Sequence, residues 1–379
     1  MMKNRITNRF ITGGYVSPEY FCNRNDESTR ILNAISSGRN LTLISLRRIG
    51  KTGLLKHVKF QLETSVNRYA VIYVDLLPTM NANEMLNSIS SSLIRLKREE
   101  KNFFEKILSM LASLRPILTV DSLTGEPSLE LKIDTSAGIQ SGFDQLMKLI
   151  TEIKQNIVFI FDEFQQISNY PEKNIEQILR TIIQAYPVIP FIFSGSSRHM
   201  LENMFLSSGR PFYQSSELMY LDRINESDYR EFITDQFSKG NKKISNEVIT
   251  NIFDWTRLHT YYVQYICSLL FEMDDKILEF NHISRIFHKV LTDFEPQFIS
   301  YRNLIPPHQF RLLQAIAAEN GVTQPTSGKF ITSHGLTSSS SVATSLKALQ
   351  EKEMIVYDRN RWVVYDVFFS RWLEYNYKR

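Results

Sequence analysis

Between residues 41 and 222 the chain alternates short apolar runs with longer segments of helical periodicity. The runs fall at 41–46, 70–77, 157–161, 190–194 and 218–221. Runs apolar at nearly every position, rather than at every second one, predict strands covered on both faces. That favours a parallel sheet flanked by helices, an α/β nucleotide-binding architecture. A long insertion, about 82–135, separates the second run from the third. It reads as a charged amphipathic helix over about 82–114, then two alternating segments around Thr124-Gly125 that predict a β-hairpin.

After Asn225 the strands stop, and residues 226–300 carry helical periodicity only. Asn225-Glu226-Ser227-Asp228 supplies N-cap chemistry for the first of these helices. A third pattern begins after Pro306-Pro307, with helices over 308–319, about 327–333 and 339–352. Residues 354–365 then read as a strand, an Asp358-Arg359-Asn360 turn and a second strand. Three helices and a hairpin outline a winged helix-turn-helix. The expected division is a core over 1–225, a helical domain over 226–304 and a winged helix over 305–379.

Composition narrows this little. With 379 residues, 43% hydrophobic and 22% charged, the chain has apolar surface for two or three real cores. A net charge of +4 points to neither nucleic acid nor membrane. The only cysteines, Cys22 and Cys267, stand in no metal-ligand spacing, which predicts a reducing compartment without disulfides or zinc. The N-terminus lacks the apolar core of a signal peptide, and no apolar run approaches bilayer length. A cytoplasmic protein without a membrane partner is expected.

The first strand runs into Ser45-Leu46-Arg47-Arg48-Ile49-Gly50-Lys51-Thr52 and then a helix. Strand, turn, Gly-Lys-Thr and helix together describe a phosphate-binding P-loop. Backbone N–H groups and the helix N-terminus would face the phosphates, where the dipole favours anions. Lys51 would add a point charge and the Thr52 hydroxyl would ligate Mg²⁺. The expected nucleotide-binding set is Ser45, Arg47, Arg48, Ile49, Gly50, Lys51, Thr52 and Gly53. Ser45 stands where the full pattern has glycine, a residue still small enough for close backbone approach. Arg47 and Arg48 suit either a phosphate or a contact pinning the loop to the helical domain.

A P-loop needs a second element, and the apolar strand ending in Asp162-Glu163 supplies it. Asp162 would bind the metal's water shell, and Glu163 would orient or deprotonate the attacking water. Phe191-Ile192-Phe193-Ser194-Gly195-Ser196-Ser197-Arg198 adds a strand followed by small polar residues. Ser196 or Ser197 could sense the γ-phosphate, and Arg198 could neutralise its charge. The same residues also suit a turn that caps the helix at 199–205. Arg210 reads as an arginine finger or as a surface arginine.

These residues together resemble the archaeal-type ATPases, of the STAND branch of AAA+-related P-loop NTPases. The resemblance rests on Phe21-Cys22-Asn23-Arg24 with Glu27, the P-loop, Phe161-Asp162-Glu163-Phe164 and Ser194-Gly195-Ser196-Ser197. It extends to residues 256–264 and 364–372, and so covers nearly the whole chain. It implies an ASCE-type core with a helical lid and a C-terminal winged helix, binding ATP or ADP with Mg²⁺. It also implies that Phe21 and Arg24 lie on the adenine side, and that His259 faces the nucleotide. Where the family usually has Gly-Gly-His-Pro-Tyr-Tyr, this chain has Arg257-Leu258-His259-Thr260-Tyr261-Tyr262, and the two tyrosines also suit core packing.

The expected function is a Mg²⁺-dependent ATPase working as a nucleotide-controlled switch for a protein partner. One alternative is a non-hydrolysing, nucleotide-gated interaction protein. Another is a DNA-associated ATPase that uses Arg359 and Arg361 of the wing. Over 305–379 nine Lys/Arg stand against six Asp/Glu, no strong basic face.

Overall fold

The computed structural model describes residues 7–96, 109, 117–120, 127–131 and 136–377. Two compact units emerge: Gly13–Arg223, and Ile224–Arg379 together with the N-terminal stretch ending at Thr12.

The first unit is built on strands β1 (Leu41–Ser45), β2 (Tyr69–Asp75), the hairpin strands β3 (Ile117–Val120) and β4 (Pro127–Glu130), β5 (Asn156–Asp162), β6 (Phe191–Gly195) and β7 (Glu217–Leu221). Five of them form a wholly parallel sheet in the order β2-β5-β6-β1-β7. The predicted apolar runs therefore all become strands of one sheet, and β6 stands between β1 and β5.

Alternation along each strand explains why both faces read as apolar. In β5, Val158 and Ile160 join Leu41, Leu43 and Ile192 on one face, beneath helices α1 (Asn25–Ser36) and α2 (Lys51–Thr64). Phe159 and Phe161 point the other way, with Phe191 and Phe193 of β6, against Leu86, Ile89, Phe143 and Ile182. These phenylalanines stack across the strands: Phe159 on Phe191 at 5.0 Å and Phe161 on Phe193 at 6.2 Å between centroids. Phe164, one residue past the acidic pair, packs against Phe193 at 4.6 Å.

In the insertion, a helix is present over Ala82–Leu96, and β3 and β4 pair antiparallel. The rest of the expected helix to 114, and the Thr124-Gly125 turn, lie outside the described residues. Among the described residues no helix is long and apolar enough to cross a membrane.

The second unit departs from its helix-only expectation in one respect. Two-residue strands β8 (Lys243–Ile244) and β9 (Ile277–Leu278) pair in parallel. At that length no period-two signal can form against the surrounding helices. Helices Phe280–Asn303 and Val367–Tyr377 share a core in which Phe294 and Phe298 meet Phe368 and Phe369. The sequence boundary near 305 thus falls inside one compact unit. Helices Pro307–Ala318, Gly328–Ser333 and Ser339–Glu351, with hairpin β10 (Ile355–Asp358) and β11 (Arg361–Val364), complete the winged helix. Arg359 and Asn360 both have positive φ, the signature of a two-residue type I′ hairpin turn.

Phe193 is buried at the centre of the aromatic face. Phe193→Ala is expected to lower the unfolding free energy of its unit by about 3–5 kcal/mol, measured by urea denaturation.

Candidate functional site

All five parallel strands end at one edge, and the chain leaves β1 and its neighbour β6 in opposite directions, from β1 toward β2 and from β6 toward β7. Such a switch point opens a crevice outside the carboxyl ends of the strands. There the chain turns from β1 into α2 through residues 46–50. Gly50 adopts φ +99°, in the left-handed region that glycine enters at no steric cost. The helix starts immediately after it, with Leu54 N–H donating to Gly50 O at 2.9 Å. The first amide groups of α2 are left facing the crevice without intrahelical acceptors. Ile49 anchors the turn in the core. Ser45 is buried at the end of β1, its hydroxyl donating to Leu46 O.

Arg24, expected on the adenine side, is committed to this turn. Its buried guanidinium donates to Ile49 O at 3.2 Å and pairs with Glu27 at 2.7 Å. Phe21 lies against α2, stacked on His57 at 4.3 Å and in contact range of Gly53. Tyr15 completes the group through a 3.0 Å hydrogen bond between its hydroxyl and His57 Nδ1.

At the edge itself one cation holds two anions. Lys51 Nζ donates to Asp162 Oδ1 at 2.9 Å and to Glu163 Oε1 at 2.8 Å. The three side chains are 6%, 3% and 17% exposed, so the charges sit in a largely dry environment. The Thr52 hydroxyl donates to Asp162 Oδ2 at 2.7 Å, and Tyr73 OH donates to the same oxygen at 2.9 Å. Ser194 Oγ and the Glu163 N–H complete the shell around Oδ1. Burial alone would raise the Asp162 carboxyl, but Lys51 and the hydroxyl donors outweigh it and hold it at about 2. Glu163 follows the same balance: burial raises it, and Lys51 and Gln165 bring it below its ordinary value. Tyr73 is pushed strongly upward, first by burial and then by the Asp162 charge, which keeps it a proton donor.

Ser196, expected as a γ-phosphate sensor, is bonded to Glu163 in this cluster. Its hydroxyl and its N–H both donate to Glu163 Oε2, at 2.9 and 3.3 Å, and Arg47 Nε reaches the Ser196 hydroxyl at 3.4 Å. Ser197 instead is the buried N-cap of helix Arg198–Leu206. Arg198 is turned along that helix onto Glu202 at 2.9 Å and over the Tyr220 ring, because i and i+4 side chains share a face. Arg210 forms an ion pair with Glu176 that ties its loop to helix Ile175–Ala185. The structure thus engages both arginines away from the acidic pair. Arg48, at φ +65°, sits in the turn itself. His259 belongs to the second unit, where it is the buried N-cap of Thr260–Glu272 with its ring edge on Tyr262. Arg257 is likewise spent within that unit, donating to Asn320 Oδ1, Val364 O and Ser370 Oγ.

Three contributors were not anticipated: Tyr73, Ser194 and Gln165, whose Nε2 donates to Glu163 Oε2 at 2.6 Å. Ser194 left a faint signal, a hydroxyl closing an otherwise apolar strand. Tyr73 left none, because only the pairing of β2 with β5 brings it beside Asp162.

Among the described residues no group of three or more His, Cys, Asp or Glu could hold a metal by itself. Mg²⁺ takes one or two protein ligands and completes its shell with water and substrate phosphates, and Thr52 and Asp162 are the side chains that could hold it here.

Residues 21–297 match the family model of an ATPase domain predominantly from Archaea, and residues 296–375 that of a probable winged helix domain. No curated protein matches the chain in sequence. Among solved structures, a Walker-type ATPase of Pyrococcus abyssi is similar over 96% of this chain and 99% of its own, with a TM-score of 0.67 at 18% identity. The ORC2 protein of Aeropyrum pernix, solved in ADPNP–ADP complexes, is similar over 95% of this chain and 96% of its own, with a TM-score of 0.52 at 14% identity. At such identities the likeness concerns the fold.

The charge balance has a pH signature. Asp162, depressed from 3.8 to about 2, contributes stability that is present above its unfolded pKa and lost as pH falls toward 2. Without Lys51, Asp162 loses its largest stabilising partner, and the depression of its pKa shrinks. Lys51→Met is therefore expected to cost about 3 kcal/mol or more at pH 7, and less at low pH, where the carboxylates are protonated. Urea unfolding at neutral and at low pH checks this.

Proposed function

The chain belongs to the family of ATPase domains predominantly from Archaea, and on that premise we propose a Mg²⁺-dependent ATPase that acts as a nucleotide-controlled switch. The observation that carries this reading is the sharing of Lys51 between Asp162 and Glu163, with Thr52 on the same aspartate. P-loop cation, metal-ligating hydroxyl and both acids of a phosphoryl-transfer site meet at one strand edge.

Turnover proceeds by exchange of partners. The amides opening α2 and the Lys51 ammonium take the charge of the β- and γ-phosphates, and Lys51 leaves the carboxylates to do so. Thr52 and Asp162 would hold Mg²⁺, which would supply neutralisation of the charge that builds on the phosphate oxygens. Glu163 accepts a proton from the attacking water, whose oxygen bonds to the γ-phosphorus while the bond to the bridging oxygen breaks. The products are ADP and inorganic phosphate. Ser196 touches Glu163 directly, so a change at the γ-phosphate and the state of the base are linked. A protein partner reads the switch, and two buried free cysteines suit a reducing, cytoplasmic setting.

Glu163→Gln is expected to retain ATP binding while hydrolysis falls about 10²–10⁴-fold, measured by phosphate release. Wild-type protein that retains nucleotide without turnover would instead favour the non-hydrolysing, gated reading. A pull-down with Glu163→Gln and ATP should retain the partner.

The winged helix supports a second reading, DNA association. Arg359 is exposed at the tip of its wing, and Arg361 follows it. On this reading Arg359→Ala with Arg361→Ala weakens binding to duplex DNA and lowers its salt dependence. An absence of DNA affinity at low salt removes it.

A further inference from the structure

Gln165 lies two residues beyond the acidic pair, in the 3₁₀ turn Phe164–Asn169, and its side chain turns back to the site. Its Nε2 donates at 2.6 Å to Glu163 Oε2, the oxygen that also accepts from the Ser196 hydroxyl. The amide passes directly over Gly195, the last residue of β6. A Cβ on Gly195 would stand 1.9 Å from Gln165 Oε1 and 2.8 Å from Leu201 Cδ1. Gly195 has no positive φ, so its backbone would accept any residue. What the position needs from glycine is space for this amide.

The remaining oxygen of the same amide points to function. Gln165 is only 7% exposed, and its Oε1 accepts no hydrogen bond among the described residues. A buried unpaired carbonyl destabilises the fold, and a methionine of similar volume would avoid that cost. A side chain that is poor for stability and a glycine that makes room for it converge on one hydrogen bond to Glu163.

We propose that Gln165 is a positioning residue for the hydrolysis reaction, and that Gly195 provides the space it occupies. This rests on reading Glu163 as the base. Gln165 and Ser196 both hold Oε2, whereas Lys51 holds Oε1. When Lys51 transfers to phosphate, Oε1 is the oxygen released for water, and the two bonds on Oε2 keep the carboxylate from swinging away. A hydrogen bond of this kind acts on the angle of the base rather than on nucleotide affinity.

The test uses the full chain with Mg²⁺-ATP for turnover and ATPγS for binding. Gln165→Met is expected to melt at or above the wild-type temperature, to bind ATPγS with an unchanged Kd and to keep its KM, while kcat falls about 10- to 100-fold. Gly195→Ala should reproduce that kcat loss by displacing the amide. Combined with Gln165→Ala, it should cause no further loss than Gln165→Ala alone, since both changes remove the same interaction. A merely structural role predicts that kcat falls only in step with melting temperature, and that result overturns the proposal. So does turnover abolished in Glu163→Gln yet undiminished in Gln165→Met, which leaves the reading of Glu163 intact. Wild-type protein that binds ATPγS without turning over ATP overturns both.

Discussion

Three ionised groups are buried together at the carboxyl edge of the sheet, and the rest of the first unit is arranged around what that demands. A single buried ion costs several kcal/mol, and the cost is offset only when every partner is present with good geometry. Asp162 receives five donors from three elements and the turn after β5: Lys51 and Thr52 of α2, Tyr73 of β2, Ser194 of β6 and the amide of Glu163. Each must arrive within hydrogen-bond distance, so the strands that carry them cannot drift relative to one another. The stacked phenylalanines of β5 and β6, with Phe164, supply that rigidity from the opposite side of the acidic residues.

The same balance explains how an anion can be admitted. A triphosphate brings negative charge to an ammonium that already has two carboxylate partners, so binding is an exchange of like for like. On the proposed reading the gain would come from the amides opening α2 and from the metal, while the carboxylates keep their hydroxyl and amide donors. Arg24 holds Ile49 O and so braces the turn between β1 and α2.

The second unit spends its unusual residues differently. Arg257 and Leu258 adopt φ of +53° and +55°, a conformation that glycine would adopt without strain. Arg257 offsets that strain with three hydrogen bonds into the winged helix. Arg371 returns the connection by donating to the carbonyls of Asp254 and Trp255 at the end of helix Asn246–Thr256. Helical segment and winged helix are joined by backbone carbonyls capped by arginines. That is why a boundary clear in composition near residue 305 does not separate two bodies.

Local signals were enough for the strands, the Gly-Lys-Thr helix start, the acidic strand end, the Asp-Arg-Asn turn and the winged-helix outline. Each depends on periodicity, on backbone conformation or on chemistry confined to a few neighbouring residues. The two-residue strands β8 and β9 fell below what periodicity can register. Which side chains meet was another matter. Arg198 pairs with Glu202 and Arg210 with Glu176, although both arginines suit a phosphate in sequence. Tyr73 and Gln165 reach the acids although neither belongs to a recognisable motif. The chain alone could single out Lys51, Asp162 and Glu163, because each belongs to a motif confined to a few neighbouring residues. Only the pairing of β2, β5 and β6, set by long-range burial, decided which neutral donors surround them.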